Sequence, residues 1–280
     1  MSFSTNDASV FGRHRPRGLL ARILSFTRAP RSGWLARRAA FIGRALGMAL
    51  LRDKPLDVES LGANMRLYPA HNVSEKNLLF TPHFFDPEER RELAKRISSG
   101  FTFVDVGANV GGYSLFVAAL AGPDARILAI EPQADIFERL IFNIRQNPFG
   151  TIKGLECAVA DQDGQITLFV DPANRGETSM RYVNVHGQRL AVKVPAKSLT
   201  TLLAEEGFDR LDALKIDVEG AEDLILESFF ETAPPELWPN LLLVDNPSGR
   251  ETFGLPALAE NGLYRLVFRT RSNCFFERTS

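Results

Sequence analysis

The sequence predicts an α/β fold with a mainly parallel sheet and helices on both of its faces. Phe101–Gly112 reads as a buried strand, rich in β-branched and aromatic residues, that breaks at Gly107 and leads into a helix. Two more apolar runs, Ala125–Ile130 and Leu214–Ile216, each end at an acidic residue and are followed by a helical pattern. Because strands that alternate with helices form parallel sheets, we expect seven strands, with one antiparallel strand near the end.

The remaining elements follow from turn and cap residues. Asp86 is predicted as the N-cap of a helix that runs to about Ser98, and Pro132 begins another. We expect Ile152–Val159 to be a third strand, with Asp163-Gly164 turning residues 165–170 back against it. Shorter segments complete the prediction: a strand at 64–68, a loop at 171–189, a strand at 190–194, a helix capped by Ser198, a strand at 241–244, a helix at 255–260 with Gly262 as its C-cap, and closing antiparallel strands at 264–268 and 274–277.

The charge distribution divides the chain into two parts. Residues 11–54 carry eleven Arg and Lys residues against Asp53 alone, which leaves 22 basic and 33 acidic residues elsewhere. We therefore expect a basic arm over residues 1–54, disordered at 1–12 and helical beyond, on an α/β domain over residues 55–280. The net charge of −1 does not favour nucleic-acid binding by the whole chain.

Two interpretations of the arm stay open at this stage. Trp34, Phe41 and Met48 recur every seven residues, which is typical of an amphipathic helix. Such a helix either packs on the body, or residues 13–54 bind an anionic membrane surface, with nucleic acid as a weaker third option. No apolar stretch has the length of a transmembrane helix, so we expect a cytoplasmic protein, peripheral at the inner membrane face if the arm binds lipid.

The two cysteines, Cys157 and Cys274, lie far apart inside strand-like runs. Their spacing matches neither a metal site nor a disulfide framework. We expect buried thiols in a reducing compartment and no bound metal.

The glycine turn after Asp105 is a candidate cofactor site. Gly107-Ala-Asn-Val-Gly-Gly112 lacks the middle glycine of a dinucleotide fingerprint and the Gly-Lys-Ser/Thr of a phosphate loop. An acidic strand end followed by Gly-x-x-x-Gly instead resembles the first motif of Rossmann-like methyltransferases that use S-adenosylmethionine. Asp105 would hold the ammonium group of this cofactor, and the loop from Gly107 to Gly111 would pass under its carboxylate and ribose. The alternative is an ordinary tight turn with a capping aspartate.

Glu131 follows the second strand, 24 residues beyond Gly107. An acid at this distance is placed to accept hydrogen bonds from ribose hydroxyls. A third acidic group, Asp217, Glu219 and Glu222, follows the strand at 214–216. The carboxyl edge of an open α/β sheet is where ligands bind, although some of these acids are expected only to cap the next helix.

Taken together, these motifs resemble the FkbM family of methyltransferases. The matching stretches are residues 103–111, Ile130-Glu-Pro132 with Phe137, Leu140, Asn143 and Asn147, and the octapeptide Lys-Ile-Asp-Val-Glu-Gly-Ala-Glu at 215–222. The resemblance spans most of residues 86–277. It implies a class I methyltransferase fold, S-adenosylmethionine as methyl donor, and a hydroxyl on a sugar, glycan, glycolipid or other natural product as acceptor. Two departures concern the acceptor side: Leu199-Thr200 stands where Leu-Asp is expected, and Asp245 where Glu is usual.

Specific roles follow from the motifs and the resemblance. The expected cofactor-binding residues are Asp105, Gly107, Asn109, Gly111, Glu131, Asp161 and Asp217. An alcohol acceptor must lose a proton, and Asp217, Glu219 and His186 are the candidates to receive it. Two other functions stay open: an NAD-binding oxidoreductase and a non-catalytic, membrane-associated binding module. The sequence identifies neither the acceptor nor the oligomeric state.

Overall fold

A computed structural model describes residues 6–30, 33–70, 72–171, 174–179, 190–218, 220–245 and 262–279. The helices of these residues are α1 Gly18–Arg28, α2 Trp34–Leu51, α3 Val73–Phe80, α4 Pro87–Ala94, α5 Gly112–Ala121, α6 Ala134–Arg145, α7 Leu199–Glu205 and α8 Glu222–Thr232. The strands are β1 Leu56–Ser60, β2 Ala63–Leu67, β3 Thr102–Val106, β4 Arg126–Ile130, β5 Ile152–Leu155, β6 Ala158–Ala160, β7 Gly164–Asp171, β8 Asn174–Ser179, β9 Leu190–Ser198, β10 Ala213–Ile216, β11 Leu241–Asp245, β12 Tyr264–Arg269 and β13 Asn273–Arg278.

The main sheet has the order β12-β13-β11-β10-β3-β4-β5. Its pairs are parallel from β11 to β5, and β13 runs antiparallel to both of its neighbours. Alternate residues of β3 are buried on opposite faces of the sheet. Val104 lies in a core beside α7 and α8, and Phe103 lies in a core beside α5. The predicted seven-stranded sheet, with helices on both faces and one antiparallel strand, is confirmed.

The prediction of a single strand over residues 152–159 is wrong. The run divides into β5, at the edge of the main sheet, and β6, which belongs to a second sheet of order β6-β9-β7-β8. The turn at Asp163-Gly164 does not pair β7 with β6, because β9 lies between them, parallel to β6 and antiparallel to β7. Turn chemistry indicates where the chain reverses but does not identify the strand that it then meets.

Other boundaries differ from the predictions. The helix after Asp86 ends at Ala94 rather than Ser98, β9 extends to Ser198, and the predicted loop contains β8. The prediction that Ser198 caps a helix is confirmed, because its Oγ accepts a hydrogen bond from the backbone N–H of Thr201 in α7 at 3.1 Å. The helix predicted at 255–260 lies outside the described residues. Both cysteines are buried, as predicted.

Residues 6–12 are held against the body, so the expectation of disorder does not apply to them. Arg66 is fully buried and donates to the carbonyls of Asp7, Ser9 and Val10. Its guanidinium also pairs with Asp57, Nε to Oδ1 at 2.7 Å. Farther along the arm, Leu24 of α1 and Leu51 of α2 are buried in the core that contains β2 and α3.

Among the described residues, no helix is both long enough and apolar enough to cross a bilayer.

Candidate functional site

A cleft of about 240 Å³ opens at the carboxyl edge of the main sheet. Residues at or directly after the carboxyl ends of β3, β4, β10 and β11 line it, together with residues of α3, of β6 and of the segment before α4. This edge is where open α/β sheets bind ligands. The predicted site residues that line the cleft are Asp105, Gly107, Asn109, Glu131 and Asp217.

The turn after β3 has no room for a side chain. Gly107 has φ 75°, and a Cβ built on it would lie 1.9 Å from the backbone oxygen of Asp217. The backbone N–H groups of Gly107 and Ala108 both donate to the carbonyl of Ile130, at 3.0 and 2.9 Å. The turn is therefore held between β4 and β10, and only glycine fits its first position. Gly111, with φ 92°, precedes α5, and a Cβ built on it would lie 2.9 Å from the Leu140 side chain.

Asp105 is 1% exposed. Its Oδ2 accepts hydrogen bonds from the backbone N–H and the hydroxyl of Ser114, at 3.1 and 2.6 Å. Its Oδ1 is buried and has no hydrogen-bond partner in the described part of the chain; the Lys215 ammonium is 3.7 Å away. Burial raises the pKa of Asp105, and Lys215 opposes that rise.

Lys215 links the acids of two neighbouring strands. Its Nζ donates to Asp217 Oδ2 at 3.1 Å and lies 3.7 Å from Asp105 Oδ1. Burial by itself lowers the pKa of Lys215, but the charges of Asp217 and Asp105 outweigh burial and hold that pKa above its ordinary value. The ammonium therefore stays charged. Asp217, in contrast, has a side chain that is 39% exposed, so it is accessible from the cleft.

Glu131 lies directly after β4 and is 5% exposed. Its Oε2 accepts from the backbone N–H of Asn109 at 2.9 Å, and its Oε1 accepts from that of Gln133 at 3.0 Å. Burial raises the pKa of Glu131 to about 7, and these two hydrogen bonds oppose the rise. Since a carboxylate offers about four lone-pair positions, this geometry leaves capacity for further donors.

Asn109 organises the turn. It has φ 51°, a left-handed conformation that asparagine tolerates better than most residues. Its side-chain oxygen accepts from the Asn72 amide at 2.8 Å and from the backbone N–H of Val110 at 2.9 Å. Its backbone N–H thus fixes Glu131, while its side chain connects the turn to the N-cap of α3. Direct contact of Asn109 with a cofactor stays a prediction.

The sequence did not reveal the role of Asp86. It is the N-cap of α4, as predicted, with φ 39°, but its side chain makes no capping hydrogen bond. Its Oδ2 instead accepts from the Tyr113 hydroxyl of α5 at 3.0 Å, and both residues line the cleft. Burial, followed by the charge of Glu89, raises the pKa of Asp86 to about 6. Asp-Pro-Glu-Glu is also a good helix start, so only the fold identifies this partner.

The other predicted site residues either lie away from the cleft or fall outside the described residues. Asp161 is exposed and lines a separate depression with Leu224 and Ile225. It follows β6, which belongs to the second sheet and not to the main one. Its carbonyl accepts from Ser228 of α8 at 2.7 Å. His186 and Glu219 lie outside the described residues, so their roles stay predictions. The structure therefore does not bring Asp161 to the cleft.

Glu222 serves the loop that follows β10. It is 2% exposed, and its Oε1 accepts from the backbone N–H groups of Val218 and Gly220 at 3.0 and 3.1 Å. This agrees with the expectation that some acids of the 217–222 cluster are structural.

Comparison with known proteins agrees with the geometry. The sequence profile described as "Methyltransferase FkbM domain" matches residues 105–233. Methyltransferase sdnD of Sordaria araneosa is 30% identical over 181 residues, which cover 55% of this chain and 67% of sdnD. AMB antimetabolite synthetase AmbE of Pseudomonas aeruginosa is 30% identical over 189 residues, 55% of this chain but only 9% of AmbE.

Among solved structures, the methyltransferase domain of METTL16 aligns over 96% of each chain, with a TM-score of 0.48 and 15% identity.

The profile match begins at Asp105 and contains the glycine turn, Glu131 and the octapeptide at 215–222. With the seven-stranded sheet and the sdnD match, this places the chain in the FkbM family of methyltransferases.

Proposed function

We propose that the cleft binds S-adenosylmethionine and that the protein transfers its methyl group to a hydroxyl oxygen of a sugar, glycan, glycolipid or other natural product. The observation that carries the donor assignment is Asp105 Oδ1. This oxygen is buried, lines the cleft and has no hydrogen-bond donor among the described residues. A buried acceptor left without a donor costs about 1–3 kcal/mol, and an ammonium group from a ligand would remove this cost.

The rest of the cleft fits the other parts of the same cofactor. Glu131 retains the lone pairs that a ribose diol requires, since its two described hydrogen bonds occupy only part of its capacity. Ile130, Pro132, Cys157 and Leu168 provide an apolar wall in the same cleft, suited to the face of an adenine ring. Asp105, Glu131 and these apolar residues thus supply the three kinds of group that an ammonium, a ribose and a base require.

When bound, S-adenosylmethionine supplies an electrophilic methyl group. Transfer would form the oxygen–methyl bond as the sulfur–methyl bond breaks, and the hydroxyl proton would pass to a base. Asp217 is the described candidate, because its carboxylate is partly exposed in the cleft and Lys215 holds one of its oxygens. His186 and Glu219 remain the predicted alternatives. Much of the rate would come from alignment of donor and acceptor away from water.

Membership of a methyltransferase family favours methyl transfer over the two other functions, an NAD-dependent oxidation and a non-catalytic binding module. AmbE is an antimetabolite synthetase, and this relative supports a small natural product as acceptor.

A labelled donor tests the proposal. The full chain is incubated with S-adenosylmethionine carrying a trideuterated methyl group and with matched acceptors that offer either hydroxyl or amine groups. We expect S-adenosylhomocysteine to form together with a product that is 17 Da heavier and carries the label on oxygen. Label found only on nitrogen or carbon would contradict O-methylation while leaving the donor assignment intact.

A further inference from the structure

Helix α2 packs with its small residues inward. Ala40, Gly43 and Gly47 are buried. A Cβ built on Gly43 would lie 2.9 Å from Thr27 Cγ2 of α1, and one on Gly47 would lie 2.4 Å from the Phe80 ring. These two glycines therefore fix which face of α2 contacts the body, because no larger side chain fits between the helices.

Most of the large apolar side chains of α2 are exposed, although Leu51 is buried. The exposed fractions are 67% for Trp34, 72% for Leu35, 57% for Ile42, 57% for Leu46 and 53% for Leu50. Leu35, Ile42, Leu46 and Leu50 are separated by seven and four residues, so they follow one side of a helix about 27 Å long. We call these five residues the α2 stripe. A surface helix ordinarily turns such residues toward the core, and a continuous exposed patch of this kind marks an interaction site.

The charge around the α2 stripe indicates what covers it. Within α2 and directly after it, the exposed basic residues are Arg37, Arg38, Arg52 and Lys54. The acidic residue of the same region is Asp53. A second copy of the chain placed on the stripe would bring these cations against one another. An anionic surface with an apolar interior complements both the apolar and the basic groups.

We propose that the α2 stripe binds an anionic lipid bilayer, with the apolar side chains entering the interface and the arginines contacting lipid headgroups. Helix α2 would lie in the plane of the membrane, with its glycine face holding the body. Trp34, at the first turn of α2, is a residue type enriched at membrane interfaces.

This orientation would hold one wall of the cleft next to the membrane. Asn77 and Phe84 line the cleft. The Arg44 guanidinium donates to the Asn77 side chain at 3.0 Å, and the rings of Phe41 and Phe84 lie 6.1 Å apart. Arg37 lies over the same Phe84 ring at 5.0 Å. Membrane binding and the cleft are thus joined through one layer of side chains.

Vesicle flotation with the full chain tests the proposal. Wild-type protein is mixed with phosphatidylcholine vesicles, either neutral or containing 30 mol% phosphatidylglycerol. We expect binding to the anionic vesicles that is at least tenfold stronger than to the neutral ones and that weakens in high salt. The triple variant Leu35→Gln, Ile42→Gln, Leu46→Gln should lose that binding at least tenfold, with its melting temperature unchanged because all three side chains are exposed.

The matched control replaces three exposed leucines of other elements, Leu120→Gln, Leu224→Gln and Leu266→Gln, and should bind as the wild type does. Equal flotation of the α2 variant and the control would overturn the assignment of the stripe. Wild-type protein that fails to bind anionic vesicles would overturn the membrane as occupant. A dimer in light scattering that becomes a monomer only in the α2 variant would identify a second copy instead.

Discussion

Replacement of Glu131 by Gln probes the donor site with the least change in shape. The carboxylate accepts one backbone hydrogen bond on each oxygen, at 2.9 and 3.0 Å. An amide keeps one acceptor and places its NH₂ group against the other backbone donor. The NH₂ group also cannot accept from a ribose hydroxyl, and loss of that hydrogen bond to the bound cofactor costs about 1–3 kcal/mol. We therefore expect Glu131→Gln to weaken S-adenosylmethionine binding by about 5- to 150-fold.

The same residue predicts a pH dependence. Burial raises the pKa of Glu131 to about 7, and ribose hydroxyls donate preferentially to the ionised form. Binding should therefore strengthen about tenfold as the pH rises from 6 to 8, because the carboxyl must lose its proton before it accepts these hydrogen bonds. Without cofactor the sign for stability is opposite: a raised pKa favours the folded state below about 4.5, and this advantage is lost as the pH rises through about 7.

Isothermal titration calorimetry at pH 6, 7 and 8 measures both effects. Any titration of the ligand's own amine is common to wild type and variant, so only the difference in slope reports on Glu131. The control is Glu227→Gln, an exposed glutamate of α8. Equal affinities and equal slopes for wild type and Glu131→Gln would refute the ribose role. A loss of affinity in the Glu227→Gln control as well would indicate a nonspecific charge effect.

Three more predictions follow from the site. Asp217→Asn should lower kcat far more than it weakens donor binding. Full turnover in this variant would mean that another residue is the base, with the cleft residue Asp86 and His186 as the candidates. Gly107→Ala should lower the free energy of unfolding by more than about 2 kcal/mol in chemical denaturation, because its Cβ would lie 1.9 Å from a backbone oxygen; a wild-type midpoint would contradict the packing. Glu222→Gln should lower the free energy of unfolding by about 1–3 kcal/mol, because its carboxylate accepts hydrogen bonds from the backbone of Val218 and Gly220. A helix-dipole contact alone would contribute only about 0.3–1 kcal/mol, so a loss in that lower range would contradict the structural role of these bonds.

The features that depend on residues close together in the sequence could be predicted. The glycine turn, the acid after β4 and the acid after β10 were predictable, because strand composition and turn chemistry act within about ten residues. The parallel pairing of β3 with β10 then brought Asp105, Lys215 and Asp217 together, as the order of motifs indicated.

Features that depend on distant partners were not predictable. Asp86 reads as a helix cap, and its bond to Tyr113 joins residues 27 positions apart. The second sheet places β9 between β6 and β7, a choice that no local turn specifies.

In α2, periodicity identified Trp34, Phe41 and Met48 as the apolar face, but Met48 packs against the body and the α2 stripe shares only Trp34 with these three residues. The crowding at Gly43 and Gly47 that sets this orientation comes from α1 and α3.

Direct binding of the methyl donor tests the central claim. The full-length chain is titrated with S-adenosylmethionine and, in a parallel experiment, with NAD. The proposed roles of Asp105 and Glu131 predict saturable binding of S-adenosylmethionine with one site per chain and no heat of binding from NAD. Saturable binding of NAD, with no binding of S-adenosylmethionine, would contradict the assignment of this cleft to a methyl donor.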